Sequence, residues 1–219
     1  MKRVFIVSYP RSGNMFVRTL LAYLAFPDKK WTARDISTMF AVDLYHYGKA
    51  VLDWYTEPRI YKSHAKYNES IEPVIYVYRH GLNVANSMYN RLARRPKFKT
   101  DWATYYDKFL KGHKKWGKWS EHVETWMFKR TKKVPFISIC YEDLVLNPVP
   151  QVRKLLNFLK WYRDDNKIDK AIEDTSVFYH NLYKGQAKTR WIEFDFVHDF
   201  YEKNGDLLRR LDYGYQTNV

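Results

Sequence analysis

The sequence contains one cysteine, Cys140, so an internal disulfide and any cysteine-rich zinc site are both excluded. Its seven histidines show no H-E-x-x-H or other paired-ligand spacing, which argues against a metal centre. No apolar run approaches the roughly 18 to 20 residues of a membrane span, because Arg11, Arg18, Asp28 and Lys29 interrupt the first candidate. The opening MKRVFIVSYP is too short in its apolar part for a signal peptide, and that part is needed as a strand; the expected setting is cytoplasmic. Internal repeats, low-complexity tracts and Gly/Ser linkers are also missing, which leaves residues 1–219 as a single domain. Acidic residues are few: 24 Asp and Glu against 38 Lys and Arg give a formal charge of +14. A field of that sign draws anions, including nucleotides, nucleic acid, sulfated or phosphorylated polymers and acidic lipid.

What is present is a buried core, with 46% apolar and 18% aromatic residues, and a repeating order of strand, turn and helix. Val4 to Val7 is a short unbroken apolar run, as expected for a buried parallel strand. SYPRSGN follows, rich in turn formers, and Phe16, Val17, Leu20, Leu21 and Leu24 then recur at helical spacing. A glycine turn between strand and helix directs backbone N–H groups at an anion. An ATP loop would add G-K-[ST], but Asn14 stands where its lysine would be and Met15 where its magnesium-binding hydroxyl would be. Arg11 supplies a forked cation instead, so the loop is suited to an anion held without metal.

Further strands are expected at RIYKSH (59–64), PVIYVYRH (73–80) and VPFISICYEDL (134–144). A helix should follow the second of these through Leu82, Ala85, Met88 and Leu92, and another should start at Pro148 and Pro150. Thr32 and Asp35 suggest a capped helix running through Met39 and onward. Residues 101–129 fit two helices around Lys111 to Lys115, with Trp116, Trp119 and Trp126 on one face. Strands alternating with helices define a three-layer α/β fold, a central parallel sheet flanked by helices, with ligands at the carboxyl ends of the strands. Those ends carry SYPRSGN, YKSH and YRHGLNVANS; in the last, Arg79 and Ser87 are spaced so that both could touch one phosphate.

These segments, in this order, resemble the cytosolic sulfotransferases, which use 3'-phosphoadenosine-5'-phosphosulfate (PAPS). SYPRSGNMF is similar to the family's 5'-phosphosulfate loop, RIYKSH to its R-x-x-K-T-H segment, and VIYVYRHGLNVANSMYN to its 3'-phosphate motif. WGKWSEHVETW and CYEDL match the segments that follow, and the likeness thins beyond about residue 177. The resemblance implies a P-loop NTPase-like fold and transfer of a sulfuryl group from PAPS to a hydroxyl or amine of a small-molecule or carbohydrate acceptor, leaving PAP, with no metal. It implies His64 as general base, Lys62 as a cation on the sulfuryl or leaving phosphate, and Arg11 in an electrostatic role where the family commonly has lysine. Backbone amides of Ser12, Gly13, Asn14, Met15 and Phe16 would hold the 5' anion, and Arg79 with Ser87 the 3'-phosphate. Phe16 and Tyr141 would sandwich the adenine, though either fits the core equally well, and Lys184 and Gly185 echo a closing basic segment in which Lys188 or Arg190 could also take part. Trp31, Phe40, Tyr45, Tyr47, Trp54, Tyr55, Trp102 and Tyr105 are available either to the acceptor pocket or to the core. Two other readings stay open: a small P-loop nucleotide or metabolite kinase, and a basic nucleic-acid-binding protein, although no nucleic-acid motif is visible.

Overall fold

In the computed structural model, the structure describes residues 3–44, 59–131, 134–184 and 192–214. Five parallel strands form one sheet in the order β2-β3-β1-β4-β5. They are β1 (Arg3–Ser8), β2 (Ala41–Asp43), β3 (Arg59–Ser63), β4 (Val74–Tyr78) and β5 (Phe136–Cys140). The expected three-layer parallel α/β architecture is therefore present. β1 lies at the centre, which is why Val4 to Val7 can be apolar on both faces.

Alternate residues face opposite layers. Ile6, Ile75, Val77 and Ile139 pack with Val17, Leu20 and Leu21 of helix α1 (Asn14–Ala25) and with Val152, Leu155 and Leu156 of the helix Pro148–Leu159. Phe5, Val7, Tyr61, Val74 and Tyr76 face the other way, against Trp126. A third cluster joins Tyr9, Leu82 and Trp119 to Phe200, Tyr201 and Tyr213, so residues 192–214 belong to the same core. The helix Phe194–Arg210 carries most of that C-terminal contribution.

Several expectations change in detail. Thr32 does cap a helical turn through a capping box with Asp35, but a π-helical stretch follows, and Ala41–Asp43 leaves it as the edge strand β2, not as more helix. Two helices do span Trp102–Lys111 and Trp119–Phe128; Trp119 and Trp126, seven residues apart, share the buried face of the second, whereas Trp116 lies before it. Trp119 packs on Phe200 at 5.6 Å, Trp126 stacks on Tyr76 at 5.7 Å, and Trp116 sits in the intervening turn. Trp102 and Tyr105 are buried in the core beside Tyr89, and Trp31 is buried against Phe40; their apolar area is spent on packing. Tyr45, Tyr47, Trp54, Tyr55, Gly185, Lys188 and Arg190 lie outside the described residues.

Candidate active site

The chain order reverses about β1, with β3 on one side and β4 on the other, and the segments leaving these strands converge where ligands bind in open parallel sheets. The loop after β1 turns sharply: the Ser12 amide donates to the Tyr9 carbonyl at 3.2 Å, and Arg11 and Gly13 both have left-handed backbones, with φ of 72° and 95°. At position 13 a side chain is doubly excluded, since a Cβ would stand 2.2 Å from Cδ2 of Tyr141. Gly13 precedes α1, which has neither a side-chain cap nor an acidic residue in its first turn. The amides of Asn14, Met15 and Phe16 therefore face the loop without helical partners, at the positive end of the helix dipole. Among the described residues, three orphaned buried polar atoms lie here, Ser12 Oγ, Asn14 Oδ1 and Arg79 Nε, and the first and last are donors suited to an anion.

The side chains of this loop divide their work. Asn14 turns back into the protein, its amide donating to the Ile6 carbonyl at 3.0 Å and the Ser8 hydroxyl at 3.2 Å. Met15 accepts from Arg18 through sulfur at 3.2 Å. Both can serve an anion through the backbone alone, and neither offers a hydroxyl to magnesium. Arg11 Nε donates to Ser87 Oγ at 3.1 Å, and Arg79 Nη1 donates to the Arg11 carbonyl at 3.3 Å. Residues separated by 68 and 76 positions in the chain thus form one cationic cluster. Phe16 and Tyr141 meet edge to face at 6.0 Å, so the two rings do not form a parallel slot. Lys184 is exposed at the end of the helix Asp165–Tyr183.

His64, directly after β3, has its Nδ1 at 2.7 Å from the Ser8 carbonyl and 3.3 Å from the Ser8 hydroxyl. A carbonyl only accepts, so Nδ1 carries the proton and Nε2 is the free base. Burial, and then the charge of Lys62, push His64 well below the ordinary 6.5, with the Ser8 carbonyl opposing. The imidazole is accordingly neutral at physiological pH. Lys62 is half-buried and not a solvated edge residue: Asp43, its register partner on β2, takes its ammonium at 2.6 Å. Burial lowers the Lys62 pKa and Asp43 opposes that shift.

Sequence reasoning passed over several members of the site. Arg18 is buried in α1, donates to the Ala41 carbonyl at 3.1 Å and senses the charge of Asp43, so a second cation backs the Lys62–Asp43 pair. Glu142 accepts from the His80 amide at 3.1 Å and the Tyr213 hydroxyl at 2.7 Å, and lies 4.0 Å from Arg79 Nε. The Arg79 guanidinium also lies over the Tyr141 ring at 4.5 Å. Tyr179 packs on Phe16 at 4.9 Å. Glu142 had a signal, its place in CYEDL beside Tyr141; Asp43 and Arg18 had none, because sheet order alone brings them to Lys62.

A strand–loop–uncapped helix with a cationic cluster and a neutral histidine defines an anion-binding α/β protein. Comparison with known proteins makes that specific. The model of the sulfotransferase domain matches residues 1–179, and the chain belongs to that family. Sulfotransferase 1B1 of Canis lupus familiaris is 29% identical over 193 residues, covering 79% of this chain and 64% of that protein, so the chain spans just under two thirds of its length. Retinol dehydratase, solved with androsterone and the inactive cofactor PAP, superimposes with a TM-score of 0.74 at 17% identity, over 96% of this chain and 82% of that one. Mouse sulfotransferase SULT7A1, solved with PAP, gives 0.71 at 21% identity, over 96% and 85%. Among the described residues there is no group of three or more His, Cys, Asp and Glu able to hold a metal ion, and no helix long and apolar enough to cross a membrane.

Proposed function

We propose that this protein transfers the sulfuryl group of PAPS to a hydroxyl of a small-molecule or carbohydrate acceptor, without a metal. The observation that carries the reading is the joining of Arg11, Ser87 and Arg79 at the uncapped start of α1, beside a histidine whose Nε2 is a free base. The amides from Ser12 to Phe16 would hold the 5'-phosphosulfate, with Ser12 Oγ available to it. Arg79 and Ser87 would hold the 3'-phosphate, and Phe16, Tyr141 and Tyr179 would provide ring faces and edges for the base. Lys184 and Gly185 are assigned to the closing basic segment of that site on sequence likeness.

In the reaction the acceptor oxygen bonds to sulfur as the bond from sulfur to the 5'-phosphate oxygen breaks. His64 Nε2 takes the acceptor proton. Lys62 and Arg11 stabilise the charge growing on the leaving phosphate and the sulfuryl oxygens. Arg11, which keeps its proton, acts by charge alone; Lys62 is the candidate to donate a proton to the departing oxygen, its deprotonation being favoured by burial. A single unpaired Cys140 fits a cytoplasmic location.

Calorimetry with PAP in the presence and absence of EDTA tests the reading. Tight binding unchanged by chelation is expected; binding that vanishes on chelation would favour a kinase. Salt-dependent retention of DNA or RNA by a protein with no affinity for PAP would favour a nucleic-acid-binding role.

A further inference from the structure

Lys62 and Asp43 lie in the layer between the sheet and α1. Ile60 and Ala41, register partners on β3 and β2, pack in the core with α1. The strand period of two sends Lys62 and Asp43, each two residues further on, to the same side. There Asp43 takes the Lys62 ammonium at 2.6 Å, with the side chains of Lys62 and Asp43 only 12% and 6% exposed. Arg18 enters the same layer from α1. Its Nη1 donates to the Ala41 carbonyl at 3.1 Å and to the Ser37 hydroxyl at 3.4 Å, and its Nη2 reaches the Met15 sulfur at 3.2 Å. One buried guanidinium thus fastens the strand that carries Asp43 to the first turn of α1. His64 follows Lys62 by two residues, so cation and base leave β3 together.

The proton on Lys62 depends on this arrangement. Burial lowers the Lys62 pKa most, Asp43 opposes it, and Arg18 of α1 and Arg91 of the helix Gly81–Ala93 add to the lowering. His64, at the same strand end, is neutral and brings no charge. Asp43 in turn supports the charge of Arg18, which burial disfavours. Without its carboxylate, Lys62 would be a half-buried ammonium within range of two guanidinium groups, a state relieved by losing the proton. A neutral amine cannot stabilise charge growing on a sulfuryl group. It also has no acidic proton to give to a departing oxygen, so the lysine has to be charged before the donor arrives.

Building on the sulfuryl-transfer reading, we infer that Asp43 is a positioning residue for the reaction, which holds Lys62 charged and fixed at the carboxyl end of β3, ready for the sulfuryl group. Arg18 keeps the strand of Asp43 in place. As the bond from sulfur to the 5'-phosphate oxygen breaks, its electron pair goes to that oxygen and a proton follows from Lys62, while the acceptor proton goes to His64 Nε2. Asp43 touches neither donor nor acceptor and stays ionised throughout.

The experiment has two stages, so that the two readings fail separately. PAP binding to the wild type is measured first, and its absence would fell the transferase reading alone, because the second stage reads Lys62 directly. The wild type and its Asp43→Asn, Asp43→Ser and Asp43→Glu variants are labelled with acetic anhydride over a range of pH. The fraction of Lys62 present as free amine is taken from the pH profile of its peptide, so that differences in access cancel. The Asn and Ser variants should raise that fraction at least about tenfold at pH 8, and the Glu variant should stay within about twofold of wild type. Affinity for PAPS at pH 8, measured by calorimetry, should fall at least about tenfold in the Asn variant and be restored by Glu. Asp43 has interactions beyond this pair, so a thermal melt accompanies each variant. An unchanged free-amine fraction in a folded Asn or Ser variant, a Glu variant that behaves like Asn, a PAPS affinity indifferent to the carboxylate, or failure of both Asn and Ser to fold would overturn the inference.

Discussion

The two halves of the site are built differently. On the proposed reading the donor half is concentrated: one turn of five residues, an uncapped helix start, and Ser87 and Arg79, each bonded to Arg11, at 3.1 and 3.3 Å. The other half is dispersed: His64 follows β3, and the Lys62–Asp43 pair, which spans two strands, stands between the base and the leaving group. An anion can be held by consecutive backbone amides, so local sequence suffices to build its cradle. An acceptor is recognised by side chains, which only tertiary packing assembles. The difference teaches that an anion cradle can be specified by a short local motif, whereas side chains that meet across the sheet depend on packing.

The sharpest division of the two halves is His64→Ala. Loss of a general base costs about 10² to 10⁴ in rate, so turnover measured with labelled PAPS should fall by that factor while PAP affinity stays near wild type. If PAP affinity falls with turnover, His64 belongs to the donor half. The acid limb of kcat/KM should also lie below 6.5, since burial and Lys62 depress His64; a limb at or above that pH would contradict the assignment.

Acid stability comes next, because each half is floored by a buried neutral histidine. His80, beneath Arg79, and His122, bonded to Tyr76 near His64, are both lowered by burial to about 4 from the ordinary 6.5. The unfolded chain binds protons between those values that the folded chain refuses, so stability is full above about pH 6.5 and is lost as pH falls toward 4. The loss is at most about 3 kcal/mol per histidine. Urea melts at pH 7 and 4.5 check this, with His80→Phe and His122→Gln each expected to flatten part of the slope, His64 supplying the rest. A double His80→Phe/His122→Gln variant that loses as much stability as wild type between pH 7 and 4.5 would refute it.

Within the donor half, Arg79→Ala should weaken PAP by about 1.5 to 3 kcal/mol and adenosine 5'-phosphate much less, since a charge-assisted contact to the 3'-phosphate is lost. Equal losses would mean that Arg79 serves only its neighbour Glu142. Tyr213→Phe should have the smallest effect, about 0.5 to 1.5 kcal/mol on PAP. It removes a bond at 2.7 Å that holds Glu142, and Glu142 in turn lies beside Arg79. Calorimetry with both nucleotides distinguishes this positioning from a general loss of stability.

Much of the fold was legible because its signals are local: four of the five strands and the helices after β1 and β4 follow from apolar runs and helical spacing. β2 was missed since three residues are too few to show a period. Of the three tryptophans expected on one face, Trp116 departs because the turn at 112–118 breaks the helical phase, while Trp119 and Trp126 keep it. In the candidate site, Arg11, Arg79, Ser87, Lys62 and His64 were named from motifs, whereas the contacts of Asp43, Arg18 and Tyr213 with them came only with the structure.

By itself the sequence determined the parallel α/β class, the loop whose glycine and uncapped helix suit an anion, and the residues at each strand end, because all of these depend on neighbours along the chain. Tertiary structure alone decided that Asp43 would hold Lys62, that the Ser8 carbonyl would leave Nε2 of His64 as the base, and that a lysine-bearing turn would stand beside it. Those contacts join segments that strand order and helix packing bring together, and separation in sequence carries no record of distance across the sheet.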